Sequence, residues 1–315
     1  GISRDVMAGK RGRPKRVLAI GNTIIDTVLT MPQIPVDDKV WVESKKRFVG
    51  GQGANVAQDL AMLGLEVSFL TRLGDDDDGR LAQVRFRDLG LDLSHCIVAP
   101  GAATMSACVT IATETVNRSC FMHRDPKMFE VDVKDTLHSV ELKDFDAIYS
   151  DGFQLDLAMP LVEAAVKLGL PVIADMEIVD DETRALANLA SHLIAPLESI
   201  RKLAGTEDPH QAVCAVARAK TAGSSVIATS GEKGSYGIES PGSSAIHVLA
   251  CDCNAHDTVG AGDAYHAGYI HAMVAQGLCG LRERMSFATR VAAALVETPG
   301  PTVTPEALAR WKVNA

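Results

Sequence analysis

An α/β fold on a mostly parallel sheet is predicted by three features of the sequence: short apolar runs rich in Val, Ile and Leu, helical-period segments between them, and glycines at the joints. Strands covered on both faces read as continuous apolar runs rather than alternating ones. Such sheets bind ligands beyond the carboxyl ends of their strands, so polar residues there carry the functional weight.

The first run, Arg16-Val-Leu-Ala-Ile-Gly21, predicts a buried strand that delivers Asn22 to Asp26 at its carboxyl end. Residues 28–48 mix Val40, Trp41 and Val42 with Pro32, Pro35 and charges, which suits exposed or edge strands and suggests a flap. After Gly50-Gly51, apolar positions 56, 57, 60, 61 and 63 recur at helical spacing and stop at Gly64. A strand over 67–71 follows. The rhythm continues with strands at 106–112 and 145–150, a helix at 157–168, and strands at 171–175 and 191–195. A helix at 209–222 leads into a strand at 225–229, and Ala264 opens another helix.

Composition excludes several classes. Residues 1–16 carry six Lys or Arg against one Asp, so the body holds 25 basic against 39 acidic residues, a net charge of −14. A body that acidic argues against a nucleic-acid docking face. Residues 1–15 are expected to be a disordered basic tail. Seven cysteines, odd in number and scattered, read as reduced thiols of a cytoplasmic protein. No run of eighteen apolar residues occurs, so neither a membrane span nor a membrane partner is expected.

Asp257-Thr258-Val-Gly260-Ala261-Gly262-Asp263 leaves a bare backbone just before a helix. Unpaired N–H groups, the positive end of the helix dipole and small residues make an anion site suited to phosphate. Asp263 stands at that same end. Two readings fit it: a first-turn acid stabilising its helix, or a general base taking a hydroxyl proton during phosphoryl transfer. Neither a Walker A loop nor a protein-kinase glycine loop is present.

The segment Asp257 to Gly268 resembles the second signature of the ribokinase-like (PfkB) carbohydrate kinase family, whose glycine turn is an anion hole and whose last aspartate is the catalytic base. Gly50-Gly51-Gln52-Gly-Ala-Asn55-Val-Ala57 is similar to that family's first signature. Gly21-Asn22-Thr-Ile-Ile-Asp26 resembles its substrate aspartate, Leu73 to Gly79 its following loop, and Thr229-Ser-Gly231-Glu-Lys-Gly234 its nucleotide loop. All five stand in family order. The resemblance implies a kinase domain over 16–315, with a small β-strand lid from about 28–48 and 102–124, that transfers the γ-phosphoryl group of ATP to a sugar hydroxymethyl group.

On that resemblance Asp263 is the base, with Gly260, Ala261 and Gly262 as anion hole. Asn22, Asp26, Gly50, Gly51, Gln52, Asn55 and Arg118 are expected at the sugar. Thr229, Gly231, Gly234, Thr258, Gly260 and Gly262 are expected at the nucleotide. Mg2+ is an expected cofactor, with K+ as a candidate held near Asp257, whose other reading is a helix-entry hydrogen bond. Physical reasons stand beside these assignments: Asp26 at a strand end can accept two hydroxyl hydrogen bonds, and Asn55 offers donor and acceptor to one ring. Arg118 and His123 have a second reading as solvated lid charges.

The resemblance fails where relatives carry Asn-x-x-Glu, for here the chain reads Ile194-Ala-Pro196-Leu-Glu198-Ser199. A proline side chain cannot organise magnesium-bound water. Asp75 to Asp78 reads as a solvated turn, and Cys251, Cys253 and His256 lack the second ligand pair of a zinc site. A nucleoside kinase is one alternative, weakened by the 4% aromatic content with Trp41 alone near the flap. A catalytically impaired sugar-binding regulator is the other. Exposed lid strands are edges, so a homodimer through the lid is expected.

Overall fold

The computed structural model describes residues 13–115, 117–220 and 224–313. The chain starts with β1 (Arg16–Ile20), β2 (Ile24–Met31), β3 (Ser44–Gly50) and α1 (Gln52–Met62). Next come β4 (Glu66–Leu70), β5 (Arg72–Gly74), α2 (Asp77–Asp88), β6 (Ile97–Ala99), β7 (Ser106–Ala112), β8 (Arg118–His123) and a short α3 (Lys134–His138). Regular alternation follows through β9 (Ala147–Ser150), α4 (Leu155–Leu168), β10 (Val172–Asp175), α5 (Asp181–Leu189) and β11 (His192–Pro196). Then α6 (Leu197–Ala204), α7 (Pro209–Ala219), β12 (Ser225–Thr229), β13 (Ser235–Ile238) and β14 (Ile246–Val248) lead to α8 (Ala261–Val274), α9 (Leu281–Val296) and α10 (Pro305–Arg310).

Among the described residues eight strands form the main sheet, in the order β14-β13-β12-β11-β10-β9-β1-β4. The pairings from β12 to β4 are parallel, and β13 and β14 add antiparallel to one edge. Alternation along each strand feeds two cores. Val17 and Ala19 of β1, Tyr149 of β9 and Ile227 of β12 pack with α1, α8 and α9. Leu18, Ile20, Ile148, Val226 and Ala228 pack on the other face with α4, α5 and α7. With both faces covered, no polar alternation is possible, which is why the strands read as unbroken apolar runs. Each fully buried Leu or Ile contributes roughly 1.5–3 kcal/mol.

The lid is a second sheet in the order β3-β2-β7-β8. Here the sequence expectations need correction. The first lid strand begins at Ile24, so Asp26 belongs to the lid and not to the end of β1. Val40, Trp41 and Val42 lie in a loop, with Trp41 94% exposed. The prolines at 32 and 35 and a positive φ at Asp37 break the chain before β3. The strand at 106–112 falls within the expected lid span of 102–124 and pairs parallel to β2 there.

Smaller differences sit at element ends. The strand expected from 145 starts at Ala147, and the helix expected to reach 222 ends at Ala219, with 221–223 outside the described residues. Asp75 to Asp78 is a helix start rather than a free turn: Asp75 and Asp77 are exposed, but Asp76 caps α2 by accepting from Gly79 N at 2.8 Å, and Asp77 and Asp78 fill the first helical turn. Carboxylates are stabilised there by the helix dipole. Of the basic tail, residues 1–12 lie outside the described residues, while Arg13 and Lys15 both pair with Asp146.

Candidate active site

The carboxyl end of β1 and the start of α1 meet backbone to backbone. A Cβ at Gly53 would stand 2.5 Å from Gly21 Cα, so only glycines allow the approach. Asp151, at the end of β9, locks that meeting: its Oδ2 accepts from Asn22 N at 2.7 Å and Gly53 N at 3.0 Å, and its Oδ1 from Phe153 N at 3.0 Å. Gly51 takes φ +95° to start α1, with Asn22 O 2.8 Å from where a Cβ would be.

On β2, the Asp26 carboxylate lies against Gly50, where an added Cβ would come within 2.4 Å of Oδ2. Burial pushes Asp26 up to about 6, and Arg118 pulls it back. Arg118 itself lies on the exposed face of β8. Gln52 Nε2 donates to Glu177 Oε2 at 2.8 Å. Three side-chain oxygens here, Asn22 Oδ1, Gln52 Oε1 and Asn55 Oδ1, are buried without a partner among the described residues. Buried acceptors left unpaired cost about 1–3 kcal/mol each, so a donor-rich ligand would be welcome.

Gly260 enters α8 at φ +81°, pressed so close to Pro301 that a Cβ would stand 2.2 Å from its carbonyl oxygen. No side chain caps this helix start. Ala261 N donates to Thr258 O at 3.2 Å, whereas Gly262 and Asp263, in the first turn, have no intrahelical acceptor. Nothing lies within 4 Å of a Cβ added at Gly262, so the turn faces open space. Asp257 Oδ1 accepts from Val259 N at 3.0 Å, which is the helix-entry role.

Asp263 is buried on the first turn of α8 and accepts from Asn55 Nδ2 at 2.8 Å. Burial raises its carboxyl well above the usual range, the Asn55 bond opposes this, and the carboxylates of Asp175, Asp59 and Asp151 add to the rise. The arrangement thus holds a proton acceptor of raised basicity beside exposed N–H donors at a helix start, which is what a hydroxyl attacking a phosphoryl group requires.

The 229–234 loop, expected at the nucleotide, leaves the sheet next door. Thr229 ends β12 beside Pro196 of β11, and its Oγ1 reaches Ala195 O at 3.5 Å. Gly231 and Gly234 take φ +53° and +86°, with Gly234 packed against Val248 O and Gly231 facing open space. Thr258 is exposed. Pro196 caps α6, and Glu198 is exposed in the first turn of that helix. Cys251 and Cys253 are free thiols, and no metal-sized group of three His, Cys, Asp or Glu stands together among the described residues.

Sequence reasoning missed Tyr149, Asp151, Asp175 and His266. Tyr149 is fully buried, and its hydroxyl is raised well above the usual range by burial and by Asp175, Asp151 and Asp263. Burial pushes Asp151 up to about 7, against its three N–H donors, and Asp175 adds to the rise. Asp151 and Asp175 end apolar strands, so the strand-end rule was enough to find them. His266 sits inside an ordinary helical run and carries no such signal.

Comparison with known proteins gives the frame for this geometry. Residues 14–307 match the family described as pfkB family carbohydrate kinase. The ribokinase of Haemophilus influenzae is 26% identical over 273 residues, covering 82% of this chain and 86% of that protein. A bifunctional ribokinase/ribose-5-phosphate isomerase A of Fructilactobacillus sanfranciscensis is 24% identical over 297 residues, 91% of this chain, which spans 53% of that longer protein. The solved structure of Arabidopsis thaliana ribokinase complexed with ribose and ATP superposes with a TM-score of 0.80 at 22% identity, covering 95% of this chain and 98% of that one. The chain belongs to the pfkB family of carbohydrate kinases: it is a sugar kinase, and so a phosphotransferase, on a ribokinase-like fold.

Proposed function

We propose that the protein transfers the γ-phosphoryl group of ATP to a hydroxymethyl group of an uncharged sugar. The observation that carries this reading is the placement of Asn22, Gln52 and Asn55, each with a buried unpartnered oxygen, on segments that meet at Asp263 through the Asn55 bond. Sugar hydroxyls are the donors such oxygens lack. The acidic surroundings, Asp26, Asp151, Asp263 and Glu177 with Arg118 as counterweight, disfavour an anionic sugar acid by like-charge repulsion.

In the reaction, the acceptor oxygen attacks the γ-phosphorus as Asp263 takes its proton, and the bond from the γ-phosphorus to ADP breaks. The N–H groups of the turn Gly260, Ala261 and Gly262 receive the growing charge on the phosphoryl oxygens. Thr229, Thr258, Gly231 and Gly234 line the nucleotide. When bound, Mg2+ would supply charge neutralisation at the phosphates, and among the described residues no group of three His, Cys, Asp or Glu stands together to hold it. Asp257, whose Oδ1 accepts from Val259 N, would be the residue to hold a K+ ion through its other oxygen.

A nucleoside acceptor is the second reading, favoured by a cavity of about 140 Å3 beside Asp151, in whose wall Phe153, Leu155, Met176 and Ile178 stand with Glu177, Asp180, Glu182 and Thr183. A base needs an apolar surface to pack on, which the first four side chains offer. Coupled ATP-consumption assays over neutral sugars, sugar acids and nucleosides decide. Turnover confined to neutral sugars supports the first reading, confinement to nucleosides installs the second, and preference for a sugar acid removes the charge argument. A homodimer is proposed through the lid, where Phe121 and Met122 are 62% and 67% exposed on the edge strand β8. Sedimentation velocity as a monomer at assay concentrations would refute it.

A further inference from the structure

His266 lies one helical turn after Asp263 and is buried, 3% exposed. Its two ring nitrogens face acceptors only. Nδ1 is 2.8 Å from Gly262 O, Nε2 is 3.1 Å from Ile194 O, and Asp175 Oδ1 is 3.8 Å from the same Nε2. A neutral imidazole has one N–H and one lone pair, so it would point that lone pair at a carbonyl oxygen. Only the imidazolium satisfies both ends. The counter-charge is in place, because Asp175 Oδ1 is buried without a hydrogen-bond partner among the described residues.

We propose that His266 is held as an imidazolium paired with Asp175, and that this pair positions the first turn of α8 for phosphoryl transfer while offsetting the carboxylates around Asp263. This rests on the reading of Asp263 as the base. The positioning is direct: Nδ1 holds Gly262, within the anion-hole turn, and Nε2 holds Ile194 in the middle of β11, which pairs with β12, the strand that leads into the nucleotide loop. This tether ties the acceptor half of the site to the nucleotide half in the region where Pro196 offers no polar side chain. The offset follows from what faces the ring: Asp175 of β10, the edge of Tyr149 of β9 with centroids 5.7 Å apart, and the carbonyls of β11 and α8. Burial raises Asp175 and the cation opposes that rise; the ionised Asp175 is one of the charges that raise Asp263, and the imidazolium beside it cancels that charge.

Two experiments test this on the full chain. In protein labelled with 15N in its histidine rings, the His266 signals at pH 7.5 should show both nitrogens protonated; a neutral tautomer overturns the proposal without any reference to turnover. In pH–rate profiles, His266→Gln should lower kcat by about 10-fold or more with sugar KM within about two-fold, and move the acid limb to higher pH. Asp175→Asn should move it to lower pH. His266→Phe, which keeps volume without donors, should be slower than His266→Gln. An acid limb unmoved in His266→Gln overturns the proposal even where Asp263→Asn abolishes turnover. Turnover surviving in Asp263→Asn instead strikes the base assignment, while the ring signals still judge the charge state. Should His266→Gln fail to fold, the ring signals and Asp175→Asn decide alone.

Discussion

Burial separates Asp263 from an ordinary first-turn acid. An exposed first-turn carboxylate stays ionised and contributes a few tenths to about 1 kcal/mol through the helix dipole. Asp263 instead lies among other carboxylates with one hydrogen bond from Asn55, an arrangement that costs stability and makes sense as a tuned acceptor. Its raised carboxyl predicts an acid limb of kcat/KM well above the ordinary aspartate range near 3.9. Removing the Asn55 donor raises Asp263 further, so Asn55→Leu should move the limb upward and raise sugar KM. A limb that stays in place while KM rises would confine Asn55 to binding. Asn55 and Asp263 were legible in the sequence because glycine-rich turns before helices announce themselves. Asp59 was not, since a carboxylate that accepts from Val303 N at 2.8 Å across 244 residues leaves no local trace.

At the scale of elements, the turns are where the fold is most constrained. Gly260 combines φ +81° with a Cβ position 2.2 Å from Pro301 O, so Gly260→Ala should cost about 1–3 kcal/mol in urea unfolding and depress turnover more than KM. A change within about 0.5 kcal/mol would mean that the turn moves freely. Asp76 carries a similar load at α2: it accepts from Gly79 N and from Thr104 N and Oγ1, at 2.6 to 2.9 Å. Asp76→Ala should therefore destabilise by about 2 kcal/mol, more than a simple cap; an effect below about 0.5 kcal/mol would contradict its cross-link to the lid. Charge repulsion within Asp75 to Asp78 predicts a turn, whereas the helix that follows stabilises these carboxylates at its start. The family resemblance places 106–112 in the lid, whereas nothing within 106–112 itself distinguishes a lid strand paired to β2 from a main-sheet strand; pairing partners are non-local information.

For the whole molecule, the acidic site competes with the fold. Asp26, raised to about 6, and Asp151, raised to about 7, are both favoured protonated in the folded state relative to the unfolded chain. Their contribution is present at low pH and lost as pH rises through about 6 to 7. The ligand-free protein should thus lose urea resistance between pH 5 and 8, with Asp26→Asn flattening the lower part of that decline; a midpoint that rises with pH contradicts the burial argument. The main sheet with its two cores was readable from apolar runs alone, because covering both faces forces continuity. The lid boundaries and the histidine tether required the structure, since each depends on which segments pair in space. The central claim is that Asp263 takes the proton of a sugar hydroxyl, and the most direct test is ATP consumption across a sugar panel for the wild type beside Asp263→Asn, with sugar binding measured by calorimetry. The account predicts turnover with at least one neutral sugar, reduced roughly 100-fold or more in the variant with binding retained. Turnover in the variant at wild-type rate would contradict it.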